Sequence, residues 1–132
     1  MTGKRHTGDA SMQRAVPQLR ITNYERSCAF WIDGLGFTID WEHRFEPGFP
    51  VFMQVSRGGL ALFLTEHSGE GATGGAVYLF VDDVDAYYRE ITSRGVKPDS
   101  EPADTEWHSR EFVVYDPDRN RVRIGASRAS AP

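Results

Sequence analysis

Residues 76–96 read AVYLFVDDVDAYYREITSRGV. Ala76 to Val81 is rich in β-branched and aromatic residues and reads as a strand. Asp82 or Asp83 then stands as the N-cap of a helix whose apolar face carries Val84, Tyr87, Tyr88 and Ile91. Gly95 ends it. Residues 19–37, LRITNYERSCAFWIDGLGF, follow the same plan. A strand from Val16 to Ile21 meets the N-cap Asn23. A helix from Tyr24 to Leu35 follows, with Tyr24, Cys28, Trp31 and Leu35 on one face and Gly34 and Gly36 at its end. Val16 and Ala76 begin the two units sixty residues apart.

The second halves of the two units also match. Residues 50–64, PVFMQVSRGGLALFL, read strand, tight turn, strand, and residues 110–124, REFVVYDPDRNRVRI, read the same, with Phe52 and Phe112 again sixty apart. Between helix and hairpin each unit has room for one more strand, FTIDWEH (residues 37–43) in the first and Val96 to Glu106 in the second. The expectation is an α+β fold of two tandem βαβββ modules forming curved mixed sheets. Module one spans about residues 14–66 and module two about 75–127, as one domain over 14–127. The loop 66–75, EHSGEGATGG, joins them. A polar leader covers 1–13 and a short tail 128–132. Leu62 and Arg123 are taken as equivalent, the drift to sixty-one residues reflecting one extra turn residue.

Bulk properties narrow the function. The 132 residues are 39% hydrophobic and 26% charged, with net charge −4, as expected of a soluble globular domain. No apolar run nears the roughly 18 residues that span a bilayer, and the N-terminus lacks the apolar core of a secretory signal. No basic stripe invites nucleic acid. The lone Cys28 rules out an intrachain disulfide and fits a reducing cytoplasm, and it reads as a buried structural thiol. His6, His43, His67 and His108 are scattered, without metal-binding spacing.

Strand parity assigns faces. Val77, Leu79, Val81, Phe112, Val114, Val122 and Ile124 turn toward the helices, as do Leu19 and Ile21. The opposite face of each sheet stays open, and two such faces curving together would form a cup. That face carries Tyr78 and Phe80, Glu111 and Tyr115, Arg121 and Arg123, with Trp41, Phe45, Phe49 and Trp107 near its edges. Such rings suit a planar heteroaromatic ligand. They equally suit a dimer interface. Glu42, Glu46, Asp104, Glu106 and Glu111 are the carboxylates available to a cationic tail. Arg20 and Arg123 meet either Glu111 or an acid on a neighbouring strand, as an ion pair, or a ligand anion.

The paired βαβββ pattern, with AFWIDGLGF (29–37) and DPDRN (116–120), resembles the vicinal oxygen chelate superfamily of glyoxalases, extradiol dioxygenases and bleomycin resistance proteins. AVPQL (15–19), AVYLFVDDVD (76–85) and EWHSREFVVYDP (106–117) are most similar to the bleomycin resistance proteins. That resemblance implies a homodimer, its modules paired within one chain or swapped between chains, that binds a drug without modifying it. The aromatic contacts it implies fall at Trp41, Tyr78, Phe80 and Trp107. Metal-dependent members of the superfamily carry four ligands at positions that fall here on Val16, Leu62, Ala76 and Arg123, none of them a normal metal ligand.

The resulting expectation is a non-catalytic, cytoplasmic, dimeric binder of an aromatic, antibiotic-like small molecule. It has no metal, no cofactor, and no nucleic-acid or membrane partner. Trp41, Phe45, Phe49, Tyr78, Phe80, Trp107, Glu111, Tyr115 and Arg123 are the candidate ligand contacts, and no catalytic residue is assigned. The alternative is a lyase or dioxygenase of the same superfamily with an atypical or metal-free site, using Glu111 or His108 as base. A third reading makes the chain an interaction module without ligand chemistry.

Overall fold

The computed structural model describes residues 10–128, so most of the expected leader and tail lie outside the described residues. The first module is β1 (Gln18–Arg20), α1 (Tyr24–Cys28) continued by a π-helical turn over Ala29–Gly34, β2 (Thr38–His43), β3 (Phe52–Arg57) and β4 (Leu60–Thr65). The second is β5 (Ala76–Phe80), α2 (Val84–Ser93), β6 (Ala103–Asp104), β7 (Ser109–Tyr115) and β8 (Arg121–Ser127). Each module builds one four-stranded sheet, in the orders β1-β4-β3-β2 and β5-β8-β7-β6. β1 runs parallel to β4 and β5 parallel to β8, and the other pairs are antiparallel.

Local chemistry sets the element ends. Asn23 accepts a hydrogen bond from the Arg26 amide and Asp83 one from the Ala86 amide, so both are N-caps and Asp82 is not. Gly36 has φ +82°, and a side chain there would strike the guanidinium groups of Arg57 and Arg94. β1 is shorter than expected because Pro17 has no N–H to give, although its carbonyl still accepts from Phe63 at 2.9 Å. β6 is only two residues long; Pro98 and Pro102 interrupt the edge before it. The first helix widens after Cys28, with the Leu35 amide reaching the Phe30 carbonyl five residues back.

The pairing register corrects two expected equivalences. Gln18 pairs with Phe63 and Tyr78 with Arg123, so both strands recur at sixty residues (18 to 78, 63 to 123). Phe63, not Leu62, is the counterpart of Arg123. Met53 pairs with Leu64 and Phe112 with Ile124, so Phe112 corresponds to Met53, 112 − 53 = 59 positions earlier, and not to Phe52. The pairs Ser56–Ala61 and Tyr115–Arg121 enclose four and five residues respectively. The extra turn residue therefore exists, but it displaces the strand before the turn and not the one after it. Leu62 is accordingly 1% exposed in the core, while Phe63 takes the open face.

One apolar core serves both modules. It joins Leu19, Ile21, Trp31, Met53, Val55 and Leu64 from the first to Leu79, Ile91, Phe112, Val114, Val122 and Ile124 from the second. Cys28 packs against it half-buried rather than buried, and burial pushes its thiol pKa up, which disfavours the nucleophilic thiolate. Polar contacts pin the modules together. The carboxylate of Asp116, 3% exposed, accepts from the Trp31 indole at 3.2 Å and from the Asn120 amide at 2.9 Å. Asn120 also donates to the Arg20 carbonyl and accepts from the Gly75 amide. Asp118 takes the backbone amide and hydroxyl of Thr22. The DPDRN turn is thus a structural clasp between the first module, the second and their joint.

Candidate functional site

The open face of the second sheet is organised around Glu111. Its side chain is only 9% exposed. Its Oε2 accepts from the Tyr78 hydroxyl at 2.8 Å, the Ser109 hydroxyl at 2.8 Å and the Trp107 indole at 3.3 Å. Arg123 Nε lies 3.3 Å from Oε1. Burial alone would raise the Glu111 pKa, but the three donors and the neighbouring guanidinium outweigh it and hold the carboxyl below its usual range. Burial, then the bond to Glu111, raises the Tyr78 phenol. A carboxylate so held, with three donors on Oε2, is a poor general base, which counts against Glu111 as the base of the alternative reading. What the cluster can do is fix the tilt of two aromatic rings.

That geometry depends on an absent side chain. Gly125 lies opposite both Phe80 and Glu111. A Cβ there would collide with the Tyr78 hydroxyl and come within 2.9 Å of Glu111 Cγ. The tyrosine therefore crosses over Gly125 to reach the carboxylate. Phe80 extends the aromatic surface, its ring 4.5 Å from that of Tyr78 and tilted 39°. Phe80 and Trp107 are 65% and 62% exposed.

The first sheet carries a separate aromatic cluster. A bulge between Ile39 and Trp41 sets Trp41 beside Gln54 on the open face. Asp40 accepts there from Gln54 and Ser56, which lowers its carboxyl pKa. Trp41 stacks on Phe52 at 5.8 Å and 13°, and Phe63 closes the triangle at 5.1 Å from Phe52. Phe45 continues the row through edge contacts with His43 and His67. Phe49 makes no ring contact among the described residues.

Within one chain the expected residues are thus brought together as two groups. Tyr78, Phe80, Trp107, Glu111 and Arg123 form one, and Trp41 with Phe45 belongs to the other. Among the described residues no ring contact, hydrogen bond or ion pair joins them. The modules dock through their helices and inner sheet faces, so both open faces point away from the shared core. Tyr115 stands apart from both groups, its ring covered by the Arg119 guanidinium at 4.1 Å. Of the five carboxylates offered to a cationic tail, Glu111 is the one bonded to Tyr78 and Trp107. Glu42 is bound by the Tyr24 hydroxyl, and Asp104 pairs with Arg110 and Arg128. Arg123 meets Glu111, whereas among the described residues the Arg20 guanidinium bonds only the neighbouring Ile21 carbonyl. His108, at φ +62°, contributes its carbonyl to the Arg128 amide. Phe52, Phe63 and Ser109 were not among the expected site residues. Parity would have found Ser109, two positions before Glu111, and Phe63 once the register was right.

A cavity of about 420 Å³ lies elsewhere, between the β3–β4 turn and α2. The bidentate Arg57–Glu90 pair, at 2.5 and 3.0 Å, forms part of its wall. That pair ties the modules together, and Phe80 alone connects the cavity to the aromatic surface, so we place the site on the open faces.

A family model described as glyoxalase superfamily protein matches residues 2–130. The chain belongs to the glyoxalase superfamily. Within that superfamily it is 29% identical to a bleomycin resistance protein of Geobacillus stearothermophilus, covering 84% of this chain and 94% of the relative. The crystal structure of a bleomycin-binding protein complexed with bleomycin matches with TM-score 0.69 at 27% identity, covering 88% of this chain and 99% of that one. A bleomycin resistance determinant encoded on the transposon Tn5 matches with TM-score 0.70 at 26% identity, covering 88% and 98%. These establish the glyoxalase/bleomycin resistance fold. The metal positions implied for the superfamily hold Val16, Ala76, Arg123 and, with the register corrected, Phe63. Two aliphatics, an aromatic and a permanent cation do not fit a divalent ion. Among the described residues no three His, Cys, Asp or Glu side chains converge.

Proposed function

We propose that this superfamily member binds a small molecule with planar aromatic rings, of the antibiotic type, and sequesters it in the cytoplasm without chemical change. The observation that carries this reading is a set of solvent-facing rings held rigid by polar anchors. Trp107 and Tyr78 are tied to Glu111, Phe80 lies against Tyr78, and Trp41 is braced on Phe52. Exposed rings without such anchoring would pay rotamer entropy on binding; anchored ones offer a preorganised stacking surface. Similarity to bleomycin resistance proteins supports bleomycin as the first ligand to try.

The reading includes a homodimer. Each chain presents two aromatic faces that its own modules leave apart, so a second copy would place a first-module face against a second-module face. Burying such faces is also the ordinary use of an exposed apolar patch.

Tryptophan fluorescence tests the proposal. Trp31 is fully buried, so quenching reports on Trp41 and Trp107. Titration with metal-free and copper-loaded bleomycin should give saturable quenching at micromolar drug, with the drug recovered unaltered. Trp107→Phe should lose most of the signal change. Absence of quenching by either form removes bleomycin as the ligand, and turnover of the drug removes the non-catalytic reading. Sedimentation velocity checks the dimer.

A further inference from the structure

Beside Tyr78 the second open face holds a small hollow of about 180 Å³, lined by Ala76, Val77, Tyr78, Arg121 and Arg123. Its shape follows from the β5–β8 register. Ala76 lies opposite Arg121 and Tyr78 opposite Arg123, so a methyl group sits where a larger side chain would fill the space between two guanidinium-bearing positions. The hollow is well below the roughly 300–1,000 Å³ of a complete small-molecule site, a size suited to one functional group of a larger ligand.

The charge in this hollow is unbalanced. No carboxylate lines it. Among the described residues Arg121 makes no ion pair and no side-chain hydrogen bond. Among the described residues Arg123 pairs with Glu111 alone, its guanidinium also lies 5.8 Å from the centre of the Tyr78 ring, and its buried Nε makes no properly directed hydrogen bond. Glu111 already accepts from Tyr78, Ser109 and Trp107. At most one of the two guanidinium charges is neutralised. Guanidinium N–H groups arranged as a fork are matched by a planar or tetrahedral oxyanion.

We propose that Arg121 and Arg123 form an anion subsite that takes the carboxylate, sulfonate or phosphate of a ligand whose aromatic body lies over Tyr78 and Phe80. The aromatic half of this inference rests on the function proposed above. It sharpens the ligand class to an aromatic acid at this end of the face, whereas a purely cationic ligand would meet repulsion there.

Two titrations of the full-length protein decide the matter. In the first, arginine side-chain Nε–Hε resonances are followed by NMR as inorganic sulfate is added. Arg121 and Arg123 should shift along one saturating curve that Arg121→Gln abolishes and Arg119→Gln preserves. Linear shifts shared by all arginines would overturn the subsite. In the second, naphthalene-2-carboxylate and its neutral carboxamide are compared by tryptophan quenching. The carboxylate should bind about tenfold tighter or better in the wild type, as one or two charge-assisted hydrogen bonds require, and no tighter in Arg121→Gln. Equal binding of the two probes to the wild type sinks the anion subsite and leaves the aromatic surface standing. Saturable sulfate shifts with neither naphthalene bound do the reverse.

Discussion

The side-chain amide of Asn120 donates to the backbone carbonyl of Arg20 at 2.9 Å, across a hundred residues of chain. Asn120 is fully buried, and it also donates to Asp116 and accepts from the Gly75 amide. One side chain thus holds the first strand, the hairpin turn and the joint between modules. Asn120→Ala leaves the half-buried Gly75 amide and Arg20 carbonyl and the buried Asp116 carboxylate each short of a partner. We expect a loss of about 2–4 kcal/mol in urea unfolding. The fold should survive, because the shared apolar core is untouched.

That clasp marks the boundary of what the sequence could tell. The two βαβββ units were legible because Asn23, Asp83, Gly36 and Gly95 punctuate them and because Val77 and Leu79, Phe112 and Val114, and Val122 and Ile124 recur at every second position of their strands. The open-face assignment of Tyr78, Phe80, Glu111 and Arg123 followed from the same parity. The position of the extra turn residue was not legible. A repeat shifts by sixty or fifty-nine according to which strand absorbs it, and only hydrogen-bond pairing shows that β3 does. A one-residue slip exchanges the two faces of a strand, which is how Leu62 came to stand for Phe63. Nor could alternation reveal that the modules join through their inner faces, since docking of two amphipathic units depends on contacts a hundred residues apart.

Gly125 permits the Tyr78–Glu111 bond, and this can be tested by coupling. Gly125→Ala forces the tyrosine off its carboxylate and should cost about 1–3 kcal/mol, as overpacking does. Tyr78→Phe removes the oxygen that the new methyl strikes. The double variant should therefore be more stable than the sum of the two single losses predicts. Strict additivity in chemical denaturation would mean that the ring does not cross Gly125.

Glu111 makes stability depend on pH in a defined direction. Its folded-state pKa is depressed below the ordinary 4.5, so the unfolded chain takes up its proton first as acid is added. The stabilisation is complete above the ordinary glutamate range and is lost as pH falls below 4.5 toward the folded-state value. The stability difference between the wild type and Glu111→Gln should widen as pH rises out of the acid range and level off near neutrality. A difference that is flat across the acid range would show that the cluster does not favour the charged carboxylate.

Leu79 and Phe80 are adjacent in β5 yet answer to different demands. Leu79 is 3% exposed in the shared core and Phe80 is 65% exposed on the open face. Leu79→Ala should cost about 2–5 kcal/mol, the usual range for emptying a core leucine site, while the folded fraction keeps its ligand affinity. Phe80→Ala should leave the monomer fold's stability within about 0.5 kcal/mol, as surface changes do. It should weaken aromatic-ligand binding by about tenfold, one stacked ring's contribution. Thermal unfolding and fluorescence titration on the same two variants separate these effects. If Phe80→Ala binds the aromatic ligand as the wild type does, the stacking surface lies elsewhere, and the Trp41–Phe52–Phe63 triangle of the first module becomes the place to look.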